Sequence, residues 1–241
     1  MAGRTRFEGK SWTGCIAIAA AVLLGAIAAS PAPVLAQGPA ASAPSPDKGG
    51  NKAPEPAKEV PVEKLMAPGL LPDVSIGKPD APITIVEYAS LTCGHCGHFH
   101  RELLPKLKAK YIDKGIVRLI VREFPLENFA LAAAIVARCT EPAKTYEATR
   151  ALFVRQKTWM TAKNPRAALL AIGKEFGLSE AKFDACLDDK ALIKKIIDSR
   201  ENANKAFGVD ATPTFFINGK RLVGPSVVDE FDTIIAPLLK K

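Results

Sequence analysis

The segment Cys93-Gly94-His95-Cys96 constrains the fold of this chain more than any other. It follows a short β-branched run, Ile83–Tyr88, and opens a stretch of helical spacing, Gly97–Tyr111. A strand that turns directly into a helix puts the first cysteine at the helix start. Unpaired N–H groups and the positive end of the helix dipole favour a thiolate there. Two thiols so close together can swap between dithiol and disulfide, and the thiolate is the form that attacks.

Other uses of such a pair make different demands. A closed zinc site needs four ligands. The three histidines, His95, His98 and His100, all lie beside the motif, and Cys96 and His100 are one helical turn apart. Both cysteines, however, sit in the first turn of one helix, where no separate knuckle closes around a metal. Haem attachment requires a histidine directly after the second cysteine, and Gly97 stands there. A purely structural bridge between Cys93 and Cys96 closes too small a loop to stabilise much. Redox exchange is the reading that remains.

The beginning of the sequence is expected to direct export. Residues 1–36 show a basic start (Arg4, Arg6, Lys10), an uncharged apolar run (Ile16–Ala29) and small residues ending at Ala36, the pattern of a cleaved signal peptide. An uncleaved membrane anchor is the alternative, but the apolar run is short of the ~20 residues of a spanning helix and rich in alanine. Cleavage removes Cys15 and leaves four cysteines. If Cys93 and Cys96 form the redox pair, Cys139 and Cys186 are left to each other, as suits an exported protein; two buried free thiols are the alternative, less common outside the cytosol. The formal charge is +8, partly from the leader, and no basic block is interleaved with aromatics. Nucleic acid is therefore not an expected partner.

Residues 37–64 are expected to form a disordered Pro/Ala-rich linker, since Gln37–Pro61 has almost no large apolar residue. Residues 65–241 are one domain's worth of chain. After the strand and the cysteine helix, in which Pro105 should cause a kink or break, Val117–Phe124 reads as a second strand. Helical patterns then cover about 128–207, with Leu131–Arg138, Tyr146–Gln156, Arg166–Phe176 and Ala191–Ala206 as helices. Asn218-Gly219 marks a two-residue hairpin between Thr214–Ile217 and Lys220–Val223. Ser226–Leu239 closes as a helix capped by Ser226. The order predicts an α/β, thioredoxin-like fold with a helical domain inserted between its βαβ and ββα halves. Phe153 and Trp159 are assigned to the core of the helical block, and His98 and His100 to the helix surface.

Several blocks in this order resemble the DsbA family of bacterial exported thiol–disulfide oxidoreductases. They are Gly77–Pro82, Ile83–Tyr88, Cys93-Gly94-His95-Cys96 and Ala211-Thr212-Pro213-Thr214-Phe215-Phe216-Ile217-Asn218-Gly219. The resemblance implies that Cys93 is the exposed attacking cysteine and Cys96 the buried resolving one. It implies that His95 stabilises the thiolate and that Glu87 is a buried acid beneath the site. Pro213 corresponds to the family's cis-proline, and Thr212 to the residue whose backbone pairs with substrate. A proline beginning a central strand independently calls for a special geometry. No cofactor or metal is implied. The expected partners are exported proteins with free thiols and a membrane redox partner that reoxidises the chain in the periplasm. The Gly-His dipeptide and the Thr before the proline also occur in isomerase and reductase relatives, so a disulfide isomerase or reductase is the first alternative. A copper- or zinc-handling thiol module is the second.

Overall fold

The computed structural model describes residues 59–240, so the leader and most of the linker lie outside the described residues. Two short elements come before the first expected strand: helix α1 (Val62–Leu65) and strand β1 (Val74–Ile76). Neither is legible in the sequence, because four and three residues are too few to show a period. Residues 59–64, expected in the linker, are part of the folded unit. Val60 is buried, its N–H donates to the Gly219 carbonyl at 2.9 Å, and Leu65 is buried beside it. The folded segment therefore starts about six residues before the expected 65.

Strand β2 (Ile83–Ala89) runs up to the cysteine motif. Helix α2 (Gly94–His98) starts directly after Cys93, and the helix does not break at Pro105 as expected. It widens instead: Phe99–Leu103 and Lys108–Ile112 form π-type turns around a short α-helical stretch, α3 (Leu104–Leu107). Proline has no N–H to donate to an i−4 carbonyl, and wider turns let the chain continue without it. The Leu104 N–H accordingly donates five residues back, to Phe99. Strand β3 (Val117–Glu123) then returns parallel to β2.

The helical block sits between β3 and the C-terminal hairpin. It comprises α4 (Asn128–Arg138), α5 (Thr145–Val154), α6 (Gln156–Met160), α7 (Pro165–Glu175), α8 (Glu180–Leu187) and α9 (Lys190–Phe207). The single helix expected over 146–156 is two, parting at Arg155. Phe153 and Trp159 are core residues. The ends of the helices follow their capping residues: the side chains of Glu127, Asn164, Ser179 and Asp189 accept first-turn N–H groups, and Gly208 closes α9 at a φ of 65°. A disulfide joins Cys139, at the end of α4, to Cys186 in α8.

The hairpin β4 (Thr214–Ile217) and β5 (Lys220–Val223) turns at Asn218-Gly219, with φ of 43° and 87°. Helix α10 (Val228–Leu238) follows. Ser226 is not its side-chain cap. The Glu230 carboxylate reaches back to the N–H groups of Ser226 and Val227. The five strands form one sheet in the order β1-β3-β2-β4-β5, parallel only between β2 and β3. This is the expected α/β architecture, with the helical insertion between the βαβ and ββα parts. Because β2 is central, it is buried along nearly its whole length. The cysteine motif thus rests at the end of the best-supported strand of the molecule.

Candidate active site

Cys93 is the residue just before α2, with φ −72° and ψ 120°, and Cys96 lies within the first turn. Both are free thiols; Cys93 is half-buried and Cys96 buried. The extended backbone at Cys93 is what a helix-start position requires. Its N–H donates to Ser90 at 3.1 Å, and its carbonyl accepts the Gly97 N–H at 3.0 Å. The Cys93 Sγ lies 3.2 Å from the Thr212 carbonyl, to which the thiol donates. Thr212 is followed by Pro213 across a cis peptide bond. The two sequence blocks, 119 residues apart, therefore meet at the reactive sulfur.

The two sulfurs differ in acidity. The Cys93 thiol is held down to about 5, chiefly by a hydrogen bond from the Cys96 thiol, against the opposing effect of its own burial. The Thr212 side chain and, to a lesser extent, the backbone of Cys96 and His95 act in the same downward direction. Burial, before all else, pushes the Cys96 thiol up, with the hydrogen bond to Cys93 and the Glu87 charge adding to it. His95 is exposed.

This asymmetry sets a pH dependence. A thiol with a lowered pKa in the folded protein stabilises the reduced fold fully above its ordinary value, and that contribution disappears as pH falls through the lowered value. Thiolate absorbance of the reduced protein should rise with a midpoint near 5. The stability advantage of the dithiol form should shrink as pH is taken from neutrality towards that midpoint. A midpoint at the ~8.5 of a free cysteine would contradict the geometry.

Glu87 is fully buried on β2, opposite Val121 of β3 and Phe215 of β4. Its Oε2 lies 3.0 Å from Nε2 of His100. His100 is also buried, against the expectation of a surface residue, and its ring stacks on Phe153 at 3.9 Å. The helix explains this. Cys96, Phe99, His100, Leu103, Leu104 and Leu107 recur at helical spacing and share the core face. Nε2 of His100 is engaged by Glu87, while its Nδ1 has no hydrogen-bond partner among the described residues. Among the described residues no group of three His, Cys, Asp or Glu side chains converges on a common point. Removing one partner of such a pair strands the other in the core. His100→Leu should cost about 3 kcal/mol in denaturant unfolding of the reduced protein. A loss within the error of the measurement would mean that Glu87 finds another partner.

Gln156 is a further participant that the sequence does not reveal. It begins α6, and its side-chain amide reaches the loop that carries Cys93. No local pattern could have pointed to it, since its partners lie more than sixty residues away.

Comparison with known proteins agrees with this arrangement. The family model described as thioredoxin matches residues 71–236. Wolbachia pipientis alpha-DsbA1 superposes with a TM-score of 0.65 at 33% identity, covering 73% of this chain and 95% of that one. A protein-disulfide isomerase from Novosphingobium aromaticivorans superposes with a TM-score of 0.59 at 26% identity, covering 70% of this chain and 99% of that one. A Rickettsia conorii protein, provisionally named a protein-disulfide oxidoreductase, is 31% identical over 170 residues, which are 70% of this chain and 61% of the relative. The chain thus spans about three fifths of the length of the curated relatives it matches.

Proposed function

The chain belongs to the DsbA family within the thioredoxin fold, and from that premise we propose that it forms disulfides in exported proteins by exchange through Cys93 and Cys96. The observation that carries this reading is the pairing of an accessible, acidic Cys93 thiol with a buried Cys96 thiol, beside the Thr212–Pro213 edge.

In the oxidised form Cys93 and Cys96 share a disulfide. A substrate thiolate attacks the Cys93 sulfur, the bond to Cys96 breaks, and Cys96 leaves with the electron pair and takes up a proton. A mixed disulfide now joins substrate and Cys93, with the substrate backbone along Thr212–Pro213. A second substrate thiolate attacks the substrate's own sulfur in that bond. Its disulfide closes and Cys93 leaves as thiolate. Two electrons have moved from the substrate dithiol to the pair. A stabilised leaving thiolate makes this direction favourable, because it stabilises the reduced form. The place of Cys93 at the start of α2 favours that thiolate. Glu87, paired with His100, is the acid beneath the site, and its charge adds to the burial that keeps Cys96 a thiol.

The setting proposed is the periplasm, with a membrane redox partner that takes the two electrons and regenerates the disulfide. The leader pattern supports export, and among the described residues no helix is long and apolar enough to cross a membrane. Equilibration of the purified protein with glutathione, followed by thiol trapping and metal analysis, tests the reading. The expected result is a metal-free protein whose Cys93–Cys96 disulfide is reduced at glutathione ratios that leave ordinary structural disulfides intact. The oxidised form should also transfer its disulfide to a reduced substrate protein. A pair that stays oxidised under those conditions would favour the reductase alternative, and stoichiometric copper or zinc would favour the metal-handling one.

A further inference from the structure

We propose that Gln156 is a positioning residue for the Cys93 thiolate, and that glycine at 97 is what admits it. The Gln156 side chain is buried. Its Nε2 donates to the Leu91 carbonyl at 2.8 Å and to the Cys93 carbonyl at 2.8 Å. An amide nitrogen has two hydrogens, so both are in use. The Cys93 carbonyl also accepts the Gly97 N–H, at 3.0 Å. With two donors arriving from different elements, the plane of the Cys93–Gly94 peptide is held from both sides.

The opposite end of the same amide lies against Gly97. A Cβ placed there would stand 2.3 Å from Oε1 and 2.9 Å from Cδ of Gln156. The next contact, 2.8 Å from an Arg101 guanidinium nitrogen, involves the end of a flexible side chain that can move away. Any side chain at 97 must therefore displace the Gln156 amide.

Packing alone does not explain an amide in this place. A buried amide costs free energy unless it is hydrogen-bonded, and a Leu or Met would fill the space without that cost. Here both donors act on the loop that carries the reactive sulfur. Cys93 stands just before the first turn of α2, where unpaired N–H groups and the helix dipole favour a thiolate, and its sulfur lies 3.2 Å from the Thr212 carbonyl. Where the sulfur sits between that turn and Thr212 depends on the backbone torsions of Cys93, which the position of its carbonyl reflects directly. Holding that carbonyl holds the sulfur in this place. The helical insertion thereby contributes a part to the reactive loop, through a residue that does not touch the sulfur.

The proposal deepens the exchange reading above and rests on it only for its second readout. The test uses Gln156→Met, which keeps length but loses both donors, and Gly97→Ala, which pushes the amide away by an independent route. Each should raise the thiolate absorbance midpoint of the reduced protein by about one pH unit, the equivalent of about one net hydrogen bond. Each should shift the equilibrium with glutathione about tenfold towards the Cys93–Cys96 disulfide. The double variant should shift no further than Gln156→Met alone, since both changes remove the same contact. A lowered melting temperature with the midpoint unchanged in both single variants would reduce Gln156 to a structural role and overturn the proposal. Additive shifts in the double variant would overturn the link to Gly97. The midpoint needs no substrate, so failure of the wild-type protein to exchange disulfides would sink the functional reading while leaving this comparison valid.

Discussion

Cys96→Ser is expected to hold substrate protein on Cys93 as a stable mixed disulfide, whereas Cys93→Ser should hold none and exchange no disulfides. In the Cys96→Ser protein, whose motif keeps a single cysteine, the Cys93 thiolate attacks a substrate disulfide and one substrate thiolate leaves. The wild-type protein can clear such an adduct with its own second thiol, which lies in the same helical turn and needs no encounter. Cys96 is buried and mostly protonated, so it acts slowly for its proximity but is never absent. Serine cannot replace it. Turnover should fall to the uncatalysed level in both variants. Only Cys96→Ser should show, on a non-reducing gel, adducts that dithiothreitol releases. Wild-type turnover in both variants without adducts would mean that the motif serves some purpose other than exchange.

Loss of the Cys139–Cys186 bridge is the largest expected change in stability. The bridge spans 47 residues and joins the end of α4 to α8. In the chain-entropy view, a loop of that length contributes about 4 kcal/mol by restricting the unfolded chain. For a domain of this size that corresponds to a fall of about 10 °C in melting temperature. The double substitution Cys139→Ala/Cys186→Ala should therefore unfold much earlier in denaturant. It should retain the Cys93 titration midpoint near 5, since neither residue is among the groups that set the acidity of Cys93. A change of stability within error would show that the unfolded chain is already held together there by other contacts. A shifted midpoint would show that the helical block is coupled to the site more tightly than through Gln156 alone.

The features of this protein that are legible in its amino-acid sequence are those that local chemistry decides. Ile83–Tyr88 is β-branched and apolar enough to be a central strand, and it is one. Asn218-Gly219 can take the positive φ a two-residue hairpin demands, and both residues do. The cysteine spacing at a strand-to-helix junction, and the pair of cysteines left over beyond the expected leader and the motif, point to the chemistry and to the Cys139–Cys186 bridge. The order of the elements is enough for an α/β architecture with a helical insertion. The sequence does not say which face of the cysteine helix carries His100, because a histidine suits solvent as well as a buried carboxylate. Only the approach of Glu87 from β2 and Phe153 from α5 decides its burial. Nor does it show that Gln156 reaches back to Leu91 and Cys93; that Thr212 and Pro213 lie across from the cysteine motif follows only from the family resemblance, and the fold supplies the contact at the Cys93 sulfur. Residues 59–65 and β1 escape notice for a related reason: they are too short to carry a period, and they are ordered by partners far along the chain, Gly219 for Val60 and β3 for β1. Periodicity and turn chemistry act over a few residues and are written in the sequence. The placing of a proton, a donor or a carbonyl beside the reactive sulfur depends on segments 63 and 119 residues away, and only the folded chain brings them together.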